Sequence, residues 1–210
     1  MKNKLILAVA VVAFGASYQA VLAETALKYE VLFDLTLDID KDGKMDHAVL
    51  VLVGPGKHEF FGSDKSTYVL NQNERVDLYI YLGAGDAALD ISKPPTVLKQ
   101  NIIDGDRSPQ VSNLISNGKG SLQVQSYSGL GSNQYEDTIT IIHRAGKFLV
   151  AGYREDWDTR NSSGDCDFNL LSGKATKEER GGPKTPLKGK FKPVALADWS
   201  EKTRPNACDN

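Results

Sequence analysis

The stretch Asp38-Ile39-Asp40-Lys41-Asp42-Gly43-Lys44-Met45-Asp46 carries the densest chemistry in the chain. It reads D-x-D-x-D-G-x-x-D. Carboxylates at the first, third and fifth positions of a tight loop can converge on one point, and like charges this close repel unless a cation lies among them. An all-oxygen donor set selects a hard cation, and calcium takes six to eight oxygens at about 2.3–2.6 Å. On this reading Asp38, Asp40 and Asp42 supply carboxylates. Gly43 permits the sharp turn because it has no Cβ. Lys44 supplies its backbone carbonyl with its ammonium turned outward, and Asp46 closes the ring. The same spacing opens an EF-hand loop, but that loop needs Glu at its twelfth position, where this chain has Val49. The plain alternative is an Asp- and Gly-rich turn that holds no ion.

Strands must position such a loop. Leu27, Tyr29, Val31, Phe33, Leu35 and Leu37 alternate with polar residues, Leu32 being the exception, and a period of two predicts a half-buried strand. Ala48 to Val53 is continuously apolar, which predicts a strand buried on both faces, stopped by Gly54-Pro55-Gly56. A loop of this kind between two strands resembles the calcium loop of FG-GAP and VCBS-type repeats, best known from integrin-like β-propellers. The resemblance covers Phe33 to Val53, with Asp38, Asp40, Asp42, Gly43 and Asp46 at the matching positions. It implies a structural calcium site in a β domain with no particular activity attached, of the kind that small exported bacterial proteins carry in a single copy.

The motif occurs once, and no 40-residue period repeats as a propeller would require. Further strands are predicted at Arg75–Leu82, Val97–Ile103, Ser121–Ser128, Tyr135–Arg144, Lys147–Arg154 and Asp167–Leu171, with turns at Asp104-Gly105-Asp106, Asn117-Gly118 and Gly129–Asn133. Ala145-Gly146 predicts a tight hairpin. No amphipathic helix is evident. The expected fold is therefore all-β: a single antiparallel meander or sandwich, propeller-like around the loop.

Met1 to Ala23 has the form of a secretory leader: Lys2 and Lys4, an apolar run from Leu5 to Ala16, then Val21-Leu22-Ala23 as a small-residue cleavage site. Periplasmic or secreted localisation follows, with no membrane span after cleavage. Removing Lys2 and Lys4 leaves 23 basic against 27 acidic residues, which argues against nucleic acid as a partner. Residues 24–173 then form the β domain. Cys166 and Cys208, an even pair in an exported chain, are expected to form a disulfide, closing a loop of about 40 residues and stabilising by about 4 kcal/mol in the chain-entropy model. From Lys174 to Lys192 seven basic residues face only Glu178 and Glu179. Residues 174–210 thus read as a basic, Gly/Pro-rich segment tied back by the disulfide. Its basic stretch is a solvated loop, with an anionic-ligand patch as the sharper alternative.

No nucleophile–base order is present. His58-Glu59 begins a zinc-protease pattern but lacks the second His. His47 and His143 carry no evident role. The acidic run Glu155-Asp156-Trp157-Asp158 could serve a glycoside hydrolase. Tyr79, Tyr81, Tyr127, Tyr135, Tyr153 and Trp157 could form a sugar-binding platform; tyrosine is equally a preferred strand residue. The leading expectation is a non-enzymatic, monomeric, calcium-stabilised binding or accessory domain whose ligand is a protein or glycan. A hydrolase using residues 155–158 and a carbohydrate-binding module are the alternatives.

Overall fold

The alternation of residues 27–37 becomes an edge strand, and within each of two sheets successive strands pair with their neighbours in chain order. A computed structural model describes residues 27–55, 58, 65, 68–85, 88–104, 109–206 and 208. The leader expected at Met1–Ala23 lies outside the described residues, as do Gly56, Glu59 and the Gly105-Asp106 pair. The first sheet holds β1 (Leu27–Leu37), β2 (Asp46–Pro55), β3 (Arg75–Tyr81) and β4 (Val97–Asp104) in that order, all antiparallel. The second runs β5 (Gln110–Ser116), β6 (Ser121–Leu130), β7 (Asn133–Arg144), β8 (Lys147–Asp158), β9 (Ser163–Asn169), β10 (Lys174–Glu179) and β11 (Thr185–Pro186), again in chain order. β12 (Val194–Ala195) returns to pair with β8 beside Leu149 and Val150, where β9 does not reach. The fold is an all-β antiparallel meander folded into two sheets around a shared core. β1–β4 have the strand count of one propeller blade, but this unit shares its core with the second sheet.

β2 is buried on both faces as its composition predicts. Ala48, Leu50 and Leu52 enter the main core with Leu78, Ile80, Leu122, Ile141 and Phe168. Val49, Val51 and Val53 form a second cluster with Tyr81, flanked by Val31, Tyr79 and Leu89. Each fully buried Leu or Val of this strand contributes about 1.5–3 kcal/mol of transfer free energy. Tyr81 and Asp77, on the neighbouring β3, are buried as well.

Leu32, the exception to the alternation in β1, is a β-bulge. The register passes from Val31 opposite Val51 to Phe33 opposite Leu50, so Leu32 is the extra residue. The bulge switches faces: Val31 packs on the second cluster, whereas Leu32, Phe33, Leu35 and Leu37 serve the main core. Ser112 does the same in β5, which sets Val111 and Leu114 inward at a spacing of three and hides that strand from a period-two reading. The expected hairpin at Ala145-Gly146 is present, with φ of 50° and 72° and Arg144 opposite Lys147.

The division expected at residue 173 does not appear. Lys174 opens β10, which pairs with β9 from Lys174–Asn169 to Glu179–Gly164. Beyond it, Leu187, Phe191 and Val194 pack against the main core, while Leu196 and Trp199 are buried in it. Cys166 and Cys208 form a disulfide with Cα atoms 6.3 Å apart. The basic stretch is an ordered strap, because apolar residues recur between its lysines and each needs the core.

Candidate functional site

The loop between β1 and β2 begins after the Leu37–Asp46 pair closes the ladder. Ile39, completely buried, anchors it to the core between the half-buried Asp38 and Asp40. The chain reverses through positive φ at Lys41 (65°) and Gly43 (84°). Asp38 directs the winding: its Oδ1 accepts from the Asp42 amide and its Oδ2 from the Gly43 amide, each at 3.1 Å. Asp40 Oδ1 also accepts from the Asp42 amide. Carboxylate oxygens of Asp38, Asp40 and Asp42 consequently lie within 4.8 Å of one another, a group that can hold a metal ion. That span is one an ion with contacts of about 2.3–2.6 Å can bridge. The Lys44 amide, donating to Asp42 Oδ1 at 2.8 Å, holds the Asp42 carboxyl below the ordinary carboxylate range.

Asp46 is not brought into this group. It is fully buried, and its two oxygens accept from the Ile39 amide at 2.9 Å and the Gly83 amide at 2.7 Å. It starts β2, so its side chain points into the sheet, where backbone donors claim it. The Lys44 ammonium, expected to turn away, lies 3.2 Å from Asp42 Oδ2. The root of the loop is held further by the Gly85 amide donating to the Met45 carbonyl. His47, which had no evident role, is buried with Nδ1 2.9 Å from Asp34 Oδ1 and Nε2 3.0 Å from the Gly85 carbonyl. Both partners are acceptors, which a doubly protonated imidazole satisfies from both nitrogens. Its signal in the sequence was the Asp34 on the neighbouring strand, visible only once the register is known.

The acidic run at the end of β8 divides between the two faces of the second sheet. Glu155 accepts from the Tyr153 hydroxyl at 3.1 Å, and that hydroxyl also donates to Asp137 at 2.5 Å. Burial, then the Asp137 charge, pushes the Tyr153 phenol far above its ordinary range. Asp156 faces the other way and receives a bidentate pair from Arg154 at 2.7 and 2.8 Å. Glu155 is thereby set apart from the rest of the run, while Asp156, Trp157 and Asp158 line one surface hollow together with Glu136 and Asp165.

The tyrosines are likewise divided. Tyr79 and Tyr81 belong to the second cluster of the first sheet and Tyr153 stacks in the core on Phe168, whereas Tyr127, Tyr135 and Trp157 line the same surface hollow as Asp156 and Asp158.

Two other histidines complete the inventory. His143 packs its ring against Phe148 across the β7–β8 hairpin. His58 is buried with Nε2 3.7 Å from Glu74 Oε1. Glu74 itself is buried and accepts from the Tyr68 hydroxyl, the Asn71 amide and the Asn71 side chain. Gly54 allows this approach, since a Cβ there would fall 2.5 Å from Glu74 Cγ.

The chain matches no protein-family model, no curated protein and no solved structure.

Proposed function

We propose that this protein is an exported, calcium-stabilised β domain that acts by binding a protein or glycan and not by catalysis. The observation that carries this reading is the convergence of Asp38, Asp40 and Asp42 at the tip of a loop whose root is rigidly braced. Three carboxylates with no nitrogen or sulfur donor favour a hard cation, and extracellular calcium modules bind with Kd on the order of 0.1–1 mM. At millimolar calcium the ion then adds about 1–2 kcal/mol through mass action. The joined cysteines agree with an oxidising compartment, and among the described residues no helix is long and apolar enough to cross a membrane. The engagement of Glu155 by Tyr153 and of Asp156 by Arg154 supports binding over hydrolysis.

The test is the thermal melt of the purified protein in EDTA, in millimolar calcium and in millimolar magnesium. A rise with calcium alone, absent in Asp40→Ala, is the expected result. Identical melts under all three conditions would reject the calcium site.

A further inference from the structure

The two ends of the second sheet carry opposite charge. At one end Glu136, Asp156, Asp165 and Glu178 stand directly opposite one another across β7, β8, β9 and β10. At the other end lie the turns β5–β6, β7–β8 and β9–β10. Lys119 sits in the first turn, Arg144 and Lys147 flank the second, and Lys174 leaves the third; all four are exposed. The strap from Leu187 to Val194 adds to this end. Gly173 lies against it, so that a Cβ there would meet the Phe191 carbonyl at 3.1 Å. Phe191 packs into the core and forces its exposed neighbours Lys190 and Lys192 outward.

Among the described residues none of these six cations has an ion-pair partner, in contrast to Lys177 and Lys184 further along the sheet, which pair with Glu179 and Glu178. Acids also lie on the rim: Asp198 lines a surface hollow with Lys190 and Lys192, and Asp38, which Asp40 and Asp42 adjoin, lines one with Lys119 and Lys41. Leu171 projects from the β9–β10 turn, 46% exposed.

We propose that this end of the molecule docks on an anionic phospholipid surface. The cations are spread over three hairpin turns and a strap, which suits a broad charged plane. Five of the six are lysines, long-stemmed point charges matched to a diffuse negative surface, whereas discrete phosphate or carboxylate recognition favours the arginine fork. Leu171 supplies an apolar contact of the kind that interfacial segments bury at the headgroup boundary. The acidic row at the far end orients the molecule, because the same surface repels it.

The test is co-sedimentation of the exported form with vesicles of phosphatidylcholine containing increasing phosphatidylglycerol. Binding is expected to rise with the anionic fraction and to vanish near 0.5 M salt, where the Debye length is about 4 Å. Each lysine near such a surface is worth about a fivefold change in affinity, so Lys147→Gln, Lys190→Gln and Lys192→Gln together should weaken binding about 100-fold. Leu171→Ser should weaken it further, and Glu136→Gln should not weaken it. If the triple variant fails to fold, Lys119→Gln with Arg144→Gln serves in its place. Equal binding to neutral vesicles, no binding to any vesicle, or variants that bind as the parent does would overturn the proposal. Capture by a soluble sulfated polysaccharide without vesicle binding would also overturn it, by making the partner a soluble polyanion.

Discussion

Asp46 and the trio Asp38, Asp40 and Asp42 belong to one short motif yet do opposite work. The trio stands at the loop tip, with the Asp42 side chain 39% exposed; its carboxylates accept backbone amides too, Asp38 with both oxygens, but one oxygen from each lies within 4.8 Å of the others. Asp46 stands at the root, fully buried, and spends both oxygens on backbone amides. Spacing marks where carboxylates gather, while burial decides which of them remain open to an ion. On the calcium reading proposed above, the root builds the loop whether or not an ion is present, and only the tip responds to one.

The largest effect expected from this division is at the root. Asp46→Ala strands the buried Ile39 amide, worth about 1–3 kcal/mol when left unpaired, and removes the acceptor of the partly buried Gly83 amide. The variant should lose about 3 kcal/mol, a fall in Tm of roughly 6–12 °C for a chain of this size, and by a similar amount in EDTA and in calcium. A variant that melts normally in EDTA and loses only its calcium response would make Asp46 an ion ligand and dissolve the comparison.

That distinction was not legible in the sequence. The partner that claims Asp46 is the Gly83 amide, 37 residues away, and only the pairing of His47 with Tyr81 brings the two together. What was legible was local. The alternation of β1, the doubly apolar β2 and the Ala145-Gly146 hairpin all follow from side-chain periodicity and turn chemistry. β5 was missed because the bulge at Ser112 breaks its period. β10 was missed because a strand reading Lys-Ala-Thr-Lys-Glu-Glu buries only Ala175 and has no apolar period to detect. The face switch at Leu32 registered as an irregularity whose cause lay in the partner strand.

Glu74 extends the root side of the comparison, since it too is a buried carboxylate surrounded by donors. The pKa of its hydroxyl partner, Tyr68, is pushed up to about 12 by burial and then by the hydrogen bond to Glu74. Below pH 10 the phenol is protonated in the folded and unfolded chains alike, and its stabilising bond is fully present. Between pH 10 and 12 the unfolded chain ionises while the folded one does not, so stability is lost across that interval. Tyr68→Phe should cost about 1.5–3 kcal/mol near pH 8, the worth of a hydrogen bond to a charged group. Urea unfolding of the two proteins should then converge as pH rises from 10 to 12. A gap that stays constant over that range would show that the phenol's proton is not what Glu74 uses.

At the tip the effects are smaller and conditional. Asp40→Ala removes one carboxylate from the group, and its cost should be the lost ion stabilisation, about 1–2 kcal/mol in millimolar calcium. In EDTA the lost bond from the exposed Asp42 amide is offset by the lower concentration of like charge, so the variant should stay close to the parent. A loss of equal size in EDTA would move Asp40 to the structural side of the loop.

The smallest effect tests how the tip manages its charge without an ion. The Lys44 ammonium, 71% exposed and 3.2 Å from Asp42 Oδ2, is an internal counter-ion. Exposed pairs of this type contribute about 0.2–1 kcal/mol. An arriving divalent ion must share Asp42 with this ammonium or displace it. Lys44→Gln should therefore destabilise the protein by a few tenths of a kcal/mol in EDTA. It should also strengthen its calcium response, with half-saturation at a lower concentration because a positive charge has left the ion's surroundings. The two shifts have opposite sign and come from one substitution, so a calcium titration of the melt separates them within a single experiment. Were Lys44→Gln to weaken the calcium response, the ammonium would be positioning Asp42 for the ion and not competing with it, and the tip would depend on side-chain bracing much as the root does.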